Sequence, residues 1–161
     1  FNAEPLPENF VDVVMKTHDE RVKTHLKAVD GIADVLGKLK LPKAVVSNSD
    51  LYQIQHAVES AEIGRYFGSH LFSSQMVQKP KPAPDVYLHA AESLEVEVDQ
   101  CLVIEDSLSG ATAALAARMQ VIGFTAGAHI VEGHAEKLLK LGVQDVAGNA
   151  EELLEIITKN I

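Results

Sequence analysis

Apolar and polar residues first follow a helical spacing along this chain and then give way to short apolar runs. Between residues 8 and 29, Phe10, Val13, Val14, Val22, Leu26 and Val29 recur at roughly the spacing of one helical face. Lys16, Asp19, Glu20, Arg21 and Lys23 fall mostly between them, as on a solvated side. Pro5 and Pro7 place the helix start just after them, and a short second helix is predicted over 32–39, behind the Asp30-Gly31 break.

From there strands and helices alternate. Strands are predicted over 43–48 (KAVVSN), 71–73, 101–105 (CLVIE), 121–124 and, more weakly, 143–146. Helices are predicted over 51–61, 84–94, 110–117, 136–141 and 151–157, the second entered through the proline-spaced run 79–84. Short continuous apolar strands alternating with amphipathic helices indicate an α/β fold, a Rossmann-like parallel sheet with helices on both faces. The alanine-rich stretch 113–117 suits close helix–sheet packing. Residues 1–28 precede the rhythm and read as an appendage to the α/β core at 29–161.

Composition narrows the function classes. The 161 residues carry 14 Lys+Arg against 23 Asp+Glu, a formal net charge of −9, which argues against binding a nucleic-acid backbone. No apolar run approaches the roughly 18–20 residues of a membrane helix, and the single cysteine, Cys101, forms no intrachain disulfide. Together these point to a soluble, cytoplasmic protein with neither nucleic acid nor membrane as partner. Cys101 reads as a small core residue, and the seven histidines show no zinc-like spacing and read as surface or packing residues. Gly123, Gly127 and Gly133 do not form a dinucleotide-binding fingerprint, and Tyr52, Tyr66 and Tyr87 are too scattered for base stacking. The chain opens at Phe1 rather than Met, which raises the expectation of a segment in front of it.

In a parallel sheet, useful polar groups collect at the carboxyl ends of strands. Two strand ends turn polar abruptly: Val46 runs into Ser47-Asn48-Ser49-Asp50, and Ile104 into Glu105-Asp106-Ser107. At the first, Ser49 or Asp50 can serve as a helix N-cap, and Ser47 either belongs to that turn or donates to an oxyanion at the helix N-terminus. At the second, two adjacent carboxylates need a cation or several donors. Hard oxygen ligands suit Mg²⁺; the alternative leaves both in solvent while Ser107 or Ser109 caps the next helix. In the stiff loop between these ends, Lys81 is either solvated or supplies fixed positive charge to a phosphate.

Ser47, Lys81 in KPAPD, and Glu105-Asp106-Ser107 before a glycine and an alanine-rich helix resemble the haloacid dehalogenase-like hydrolase superfamily. The resemblance is closest to its helical-capped sugar-phosphate phosphatases and the β-phosphoglucomutase group, and it extends through GFTAGAH at 123–129 to the closing helix. It implies that Ser47, with Asn48 beside it, binds the transferring phosphoryl group, and that Lys81 steadies nucleophile and phosphate charge. It further implies that Asp106 ligates Mg²⁺ with Glu105 in or near the metal shell, and that residues 1–28 are the C-terminal part of a mobile helical cap. Arg118, just before Met119, stands where relatives often have Gly.

Members of that family begin with a strand ending in Asp-x-Asp, whose first aspartate attacks phosphorus; no Asp-x-Asp occurs in this chain. The implied reaction is Mg²⁺-dependent hydrolysis of a small phosphorylated metabolite, such as a sugar phosphate, through an aspartate outside these residues. The alternatives are a truncated non-catalytic α/β module that binds phosphate, Mg²⁺ or a protein partner, and, within the enzyme class, a phosphosugar mutase. By resemblance the absent strand lies between 43–48 and 101–105. Two rows of unpaired backbone groups would be exposed there, so the expectation is that another segment, such as the protein's own N-terminal one, fills the gap, or that the two strands pair directly.

Overall fold

The structure, a computed structural model, describes residues 6–161 apart from the side chains of residues 18–19 and 22–25. Helix α1 (Phe10–His25) and helix α2 (Ile32–Lys38) precede the alternating part. There follow β1 (Val45–Ser47), α3 (Leu51–Ser60), β2 (Leu71–Ser73), α4 (Asp85–Ser93), β3 (Leu102–Glu105), α5 (Leu108–Ala116), β4 (Gln120–Phe124), α6 (His134–Leu141), β5 (Asp145–Ala147) and α7 (Ala150–Asn160). Single 3₁₀ turns at Gly64–Tyr66, Ser74–Met76 and Val98–Gln100 lead into or out of strands.

The sequence pattern finds every α-helix and strand, and capping chemistry moves the ends. Helix α5 starts before Gly110 because the Ser107 hydroxyl accepts from Gly110 N–H at 3.0 Å. Helix α3 starts on a capping box, in which Asp50 accepts from Gln53 N–H at 2.8 Å and the Gln53 side chain accepts from Asp50 N–H at 3.3 Å. Of the two candidate caps there, Asp50 rather than Ser49 is used.

All pairings are parallel. β1 pairs β2, with Val46 opposite Phe72, while β3 pairs β4 and β4 pairs β5 in a separate three-stranded sheet. β1 and β3 do not pair, which corrects the expectation of direct pairing: the edges that face across the interruption stay open, and no described segment lies between them. The two sheets are held together by side chains. Helix α4 packs on β1, β2 and α5, and α5 packs on β3 and β4. One apolar cluster therefore runs through Phe72, Val86, Ala90, Ala114, Val121 and Leu138 without a break. Ala111, Ala113 and Ala114 are fully buried, so α5 lies close on the sheet. The opposite face is divided: Ile54, Val58 and Leu71 form one cluster under α3, and Val35, Ile122, Leu153 and Ile157 form another under α2 and α7.

Helix α1 forms as predicted, and its apolar face is open. Phe10, Val13 and Val14 are 42%, 52% and 47% exposed, and Leu26 is exposed as well. The helix touches α3, and its remaining apolar surface meets no other described element in force. Val22, also expected on that face, lies outside the described side chains. Among the described residues no helix is long and apolar enough to cross a membrane.

Four helices end in the same hydrogen-bonded turn. After α5, Arg118 N–H bonds Leu115 C=O at 3.0 Å and Met119 N–H bonds Ala114 C=O at 3.1 Å; α3, α4 and α6 end alike. The turn needs a left-handed residue. Gly142 supplies it after α6, but Glu62 (φ 58°), Glu95 (φ 54°) and Arg118 (φ 63°) supply it elsewhere. Left-handed backbone costs an L-residue about 1–2 kcal/mol, against about 0.5–1 kcal/mol of extra chain entropy lost by glycine. Arg118→Gly should therefore raise stability by roughly 0.5–1 kcal/mol. Arg118→Ala keeps the crowding and should not, a contrast measured by urea midpoints.

Candidate active site

The polar residues lie where β1 and β3 end, beside the interruption between the sheets. Lys81, in the loop between β2 and α4, sends its ammonium into this region with a side chain only 7% exposed. Each of its three protons has an acceptor: the Val46 carbonyl of β1 at 3.0 Å, the Tyr87 hydroxyl of α4 at 2.9 Å, and Glu105 Oε1 of β3 in a short ion pair. The loop is fixed from below by Asn48. Its Oδ1 accepts from Lys81 N–H at 3.1 Å and its Nδ2 donates to Lys81 C=O at 3.3 Å.

Glu105 is buried because strand alternation puts it on the face of Val103, toward α4 and α5. Its carboxylate is fully supplied with donors. Oε1 accepts from Lys81 and from the Tyr87 hydroxyl at 2.7 Å; Oε2 accepts from Asp106 N–H and Ser107 N–H, both at 3.1 Å, and from the Ser107 hydroxyl at 3.0 Å. Burial by itself raises the carboxyl pKa, but the charge and hydrogen bond of Lys81, with help from Tyr87 and Ser107, outweigh it and hold Glu105 below the ordinary range. Tyr87 moves the other way: burial first, then the Glu105 charge, push its phenol well up, so it stays a donor.

Gly110 makes room for this carboxylate. A Cβ there would lie 1.8 Å from Glu105 Oε1 and 2.0 Å from its carboxyl carbon. The sequence points to Gly110 only as the residue after a polar strand end. Tyr87, set aside as one of three scattered tyrosines, is a second site residue that sequence reasoning missed. The available signal was its position in the first turn of the helix that follows the lysine loop.

Ser47 is half-buried, and its Oγ accepts from Ser49 N–H at 3.1 Å; among the described residues its own proton has no acceptor. The turn after it is held from β2, where Ser73 donates to Ser49 C=O at 2.7 Å and Ser74 donates to Asn48 C=O at 2.9 Å. Asp106 differs from its neighbour: its side chain is 46% exposed, and Oδ2 lies 3.0 Å from His129 Nε2. Ser47, Asn48, Lys81, Glu105 and Asp106, the residues expected at the site, thus all flank the same strand ends. Both ends of the Asn48 amide are spent on the lysine loop and every acceptor of Glu105 is engaged, whereas the Ser47 proton has no acceptor among the described residues and the Asp106 carboxylate is half-exposed.

A parallel α/β core with charged and hydroxyl groups gathered at its strand ends defines a Rossmann-like fold with its candidate site at the carboxyl ends of the strands. The sequence model of the haloacid dehalogenase-like hydrolases matches residues 2–118, and the chain belongs to that family. It is 34% identical over 106 residues to a 6-phosphogluconate phosphatase of Escherichia coli, covering 66% of this chain and 48% of that protein. It is also 34% identical over 99 residues to the phosphoglycolate phosphatase of Escherichia coli, covering 60% of this chain and 39% of the relative. The chain thus spans less than half the length of these relatives. Among solved structures, a haloacid dehalogenase-like protein of unknown function from Agrobacterium tumefaciens superposes with a TM-score of 0.87 at 32% identity, over 97% of this chain and 71% of that one. A family hydrolase from Deinococcus radiodurans, solved with bound phosphate and sodium, gives a TM-score of 0.80 at 30% identity, over 91% and 66% of the two chains.

Two outcomes follow. Gly110→Ala should displace the Glu105 carboxylate and cost at least about 3 kcal/mol, the range for breaking a buried ion pair, read as a lowered denaturation midpoint. A carboxyl whose folded pKa is depressed contributes stability that is present above its unfolded value, about 4.3, and is lost as pH falls through the lower folded value. Urea midpoints of the native chain should therefore drop steeply below about pH 4.3, and those of Glu105→Gln, lower at neutral pH, should drop less steeply.

Proposed function

We propose that this chain is the phosphate- and cation-binding part of a haloacid dehalogenase-like phosphatase that hydrolyses a small phosphorylated metabolite, such as a sugar phosphate. In this reading residues 29–161 are the hydrolase core and residues 1–28 the end of the helical cap. The aspartate that takes the phosphoryl group lies outside the chain, on a strand that enters between β1 and β3. The observation that carries the reading is the convergence of Ser47, Lys81 and Asp106 on the end of that interruption.

Each residue then has a physical role. Among the described residues the Ser47 proton has no acceptor, and it donates to a phosphoryl oxygen. Lys81 already has three acceptors, but only Glu105 is charged, and the Val46 carbonyl is a neutral one on the side of the interruption. Exchanging it for a phosphate or carboxylate oxygen gains a charge-assisted hydrogen bond, while Glu105 and Tyr87 keep the ammonium in place. Asn48 positions the lysine loop and does not itself contact phosphate.

Mg²⁺ fits Asp106 better than Glu105. Glu105 has five donors on its two oxygens and would have to give up some of them, whereas Asp106 offers a half-exposed carboxylate at the strand end. Among the described residues no group of three His, Cys, Asp or Glu side chains is placed to hold a metal. A cation that takes one or two carboxylates and completes its shell with water and substrate phosphate is compatible with such a sparse set. When bound, it would neutralise charge on the phosphoryl oxygens.

The second reading, a non-catalytic module that binds phosphate, Mg²⁺ or a protein, is favoured by the lack of Asp-x-Asp. The two separate in a phosphate-release assay with 6-phosphogluconate and phosphoglycolate in the presence of Mg²⁺. The chain alone should release no phosphate. Adding an extended apolar peptide that ends in Asp-x-Asp should produce turnover that Asp106→Asn and Lys81→Met abolish. Turnover by the chain alone would place the nucleophile within it and overturn the mechanism; no turnover with the peptide, despite its binding, would favour the module.

A further inference from the structure

Two histidines from the connection between β4 and α6 reach across to Asp106. His134, the first residue of α6 and half-buried, has Nε2 at 2.6 Å from the Asp106 main-chain oxygen. A carbonyl only accepts, so Nε2 carries the proton and donates. His129 has Nε2 at 3.0 Å from Asp106 Oδ2, and both side chains are well exposed, at 68% and 46%. The histidine ring folds back over its own loop, where a Cβ on Gly127 would lie 2.7 Å from ring carbon Cε1.

We propose that this connection sets the availability of Asp106 through two opposing contacts, with His134 and His129 as positioning residues. His134 holds the main chain of Asp106 just beyond the end of β3, so that its carboxylate points away from the buried Glu105. His129 occupies one carboxylate oxygen, and a cation taking that oxygen has to displace it. Gly127 is the residue that lets His129 reach. The inference rests on the proposed reading of Asp106 as the cation ligand and goes beyond it by naming what controls that ligand.

The two contacts predict effects of opposite sign, which a general loss of fold would not give. The probe is Mn²⁺, titrated at one pH into the full 161-residue chain and read as paramagnetic broadening of the Asp106 and Ser107 amide signals. His129→Ala should tighten Mn²⁺ binding about fivefold, the worth of one exposed hydrogen bond. His134→Leu should weaken it by about tenfold or more, as loss of a partner behind a ligand does, and His134→Gln, which keeps a donor at the same reach, should restore it. Gly127→Ala, which pushes the His129 ring away, should behave like His129→Ala. Equal affinity in His129→Ala and the native chain, or no loss in His134→Leu, would overturn the proposal while Asp106→Asn still abolished the broadening. If Asp106→Asn kept the broadening, the underlying reading of Asp106 would fail and the inference with it.

Discussion

The buried pair between Lys81 and Glu105 fixes how the two halves of this fold face each other. In a continuous parallel sheet the relation between neighbouring strands is set by a ladder of backbone hydrogen bonds. Here β1 and β3 share no ladder, and the apolar cluster under α4 and α5 fixes proximity rather than alignment, because dispersion contacts carry little direction. The Lys81 ammonium supplies the direction. It touches the carbonyl of β1, the hydroxyl of α4 and the carboxylate of β3 at once. Two buried charges cost several kcal/mol each to desolvate unless they are paired and fully hydrogen-bonded, and here both are.

That constraint explains why neighbouring carboxylates behave differently. Glu105 faces inward by strand alternation and is surrounded by donors, including two main-chain N–H groups at the start of α5. Asp106 lies one residue past the strand, where alternation ends, and stays half-exposed. Environment separates their roles: Glu105 holds a cationic side chain, and Asp106 remains available outside. Gly110 is the steric condition for the arrangement, since a Cβ at this position would take the volume of the Glu105 carboxylate.

Most of the architecture was legible in the sequence because periodicity reports burial directly. The apolar runs around Val45, Val103 and Val121 give the strands, and polar pairs after them offered helix caps, of which the structure uses Asp50 and Ser107. Three features escaped for physical reasons. Tyr87 joins Glu105 across 18 positions, and His134 joins Asp106 across 28, so no local spacing connects them. The exposed face of α1 carries the same signal as a buried one, because a pattern shows which face is apolar and not what covers it. The place of the interruption followed from the resemblance, but that it stays open did not, because an apolar strand reads alike whether or not its neighbour is present. The candidate site was legible as residue types at strand ends. That Asn48 and Glu105 both bond Lys81 required the contacts.

The interruption in the sheet and the candidate site are one feature seen from two directions. All strands run parallel, so Ser47, Glu105 and Asp106 lie at the same end of their sheets. An extended segment that pairs with β1 and β3 in parallel would satisfy the backbone groups of both open edges and bring its own carboxyl end between Ser47 and Asp106. The opposite face favours such an entry, because its apolar residues form two separate clusters there, and Ile104, at 37% exposure, stands uncovered in β3 beside the gap. Burying that side chain and closing two strand edges act in the same direction. Lys81 is already held on the far side by Glu105 and Tyr87, so it need surrender only the Val46 carbonyl to engage whatever that segment carries.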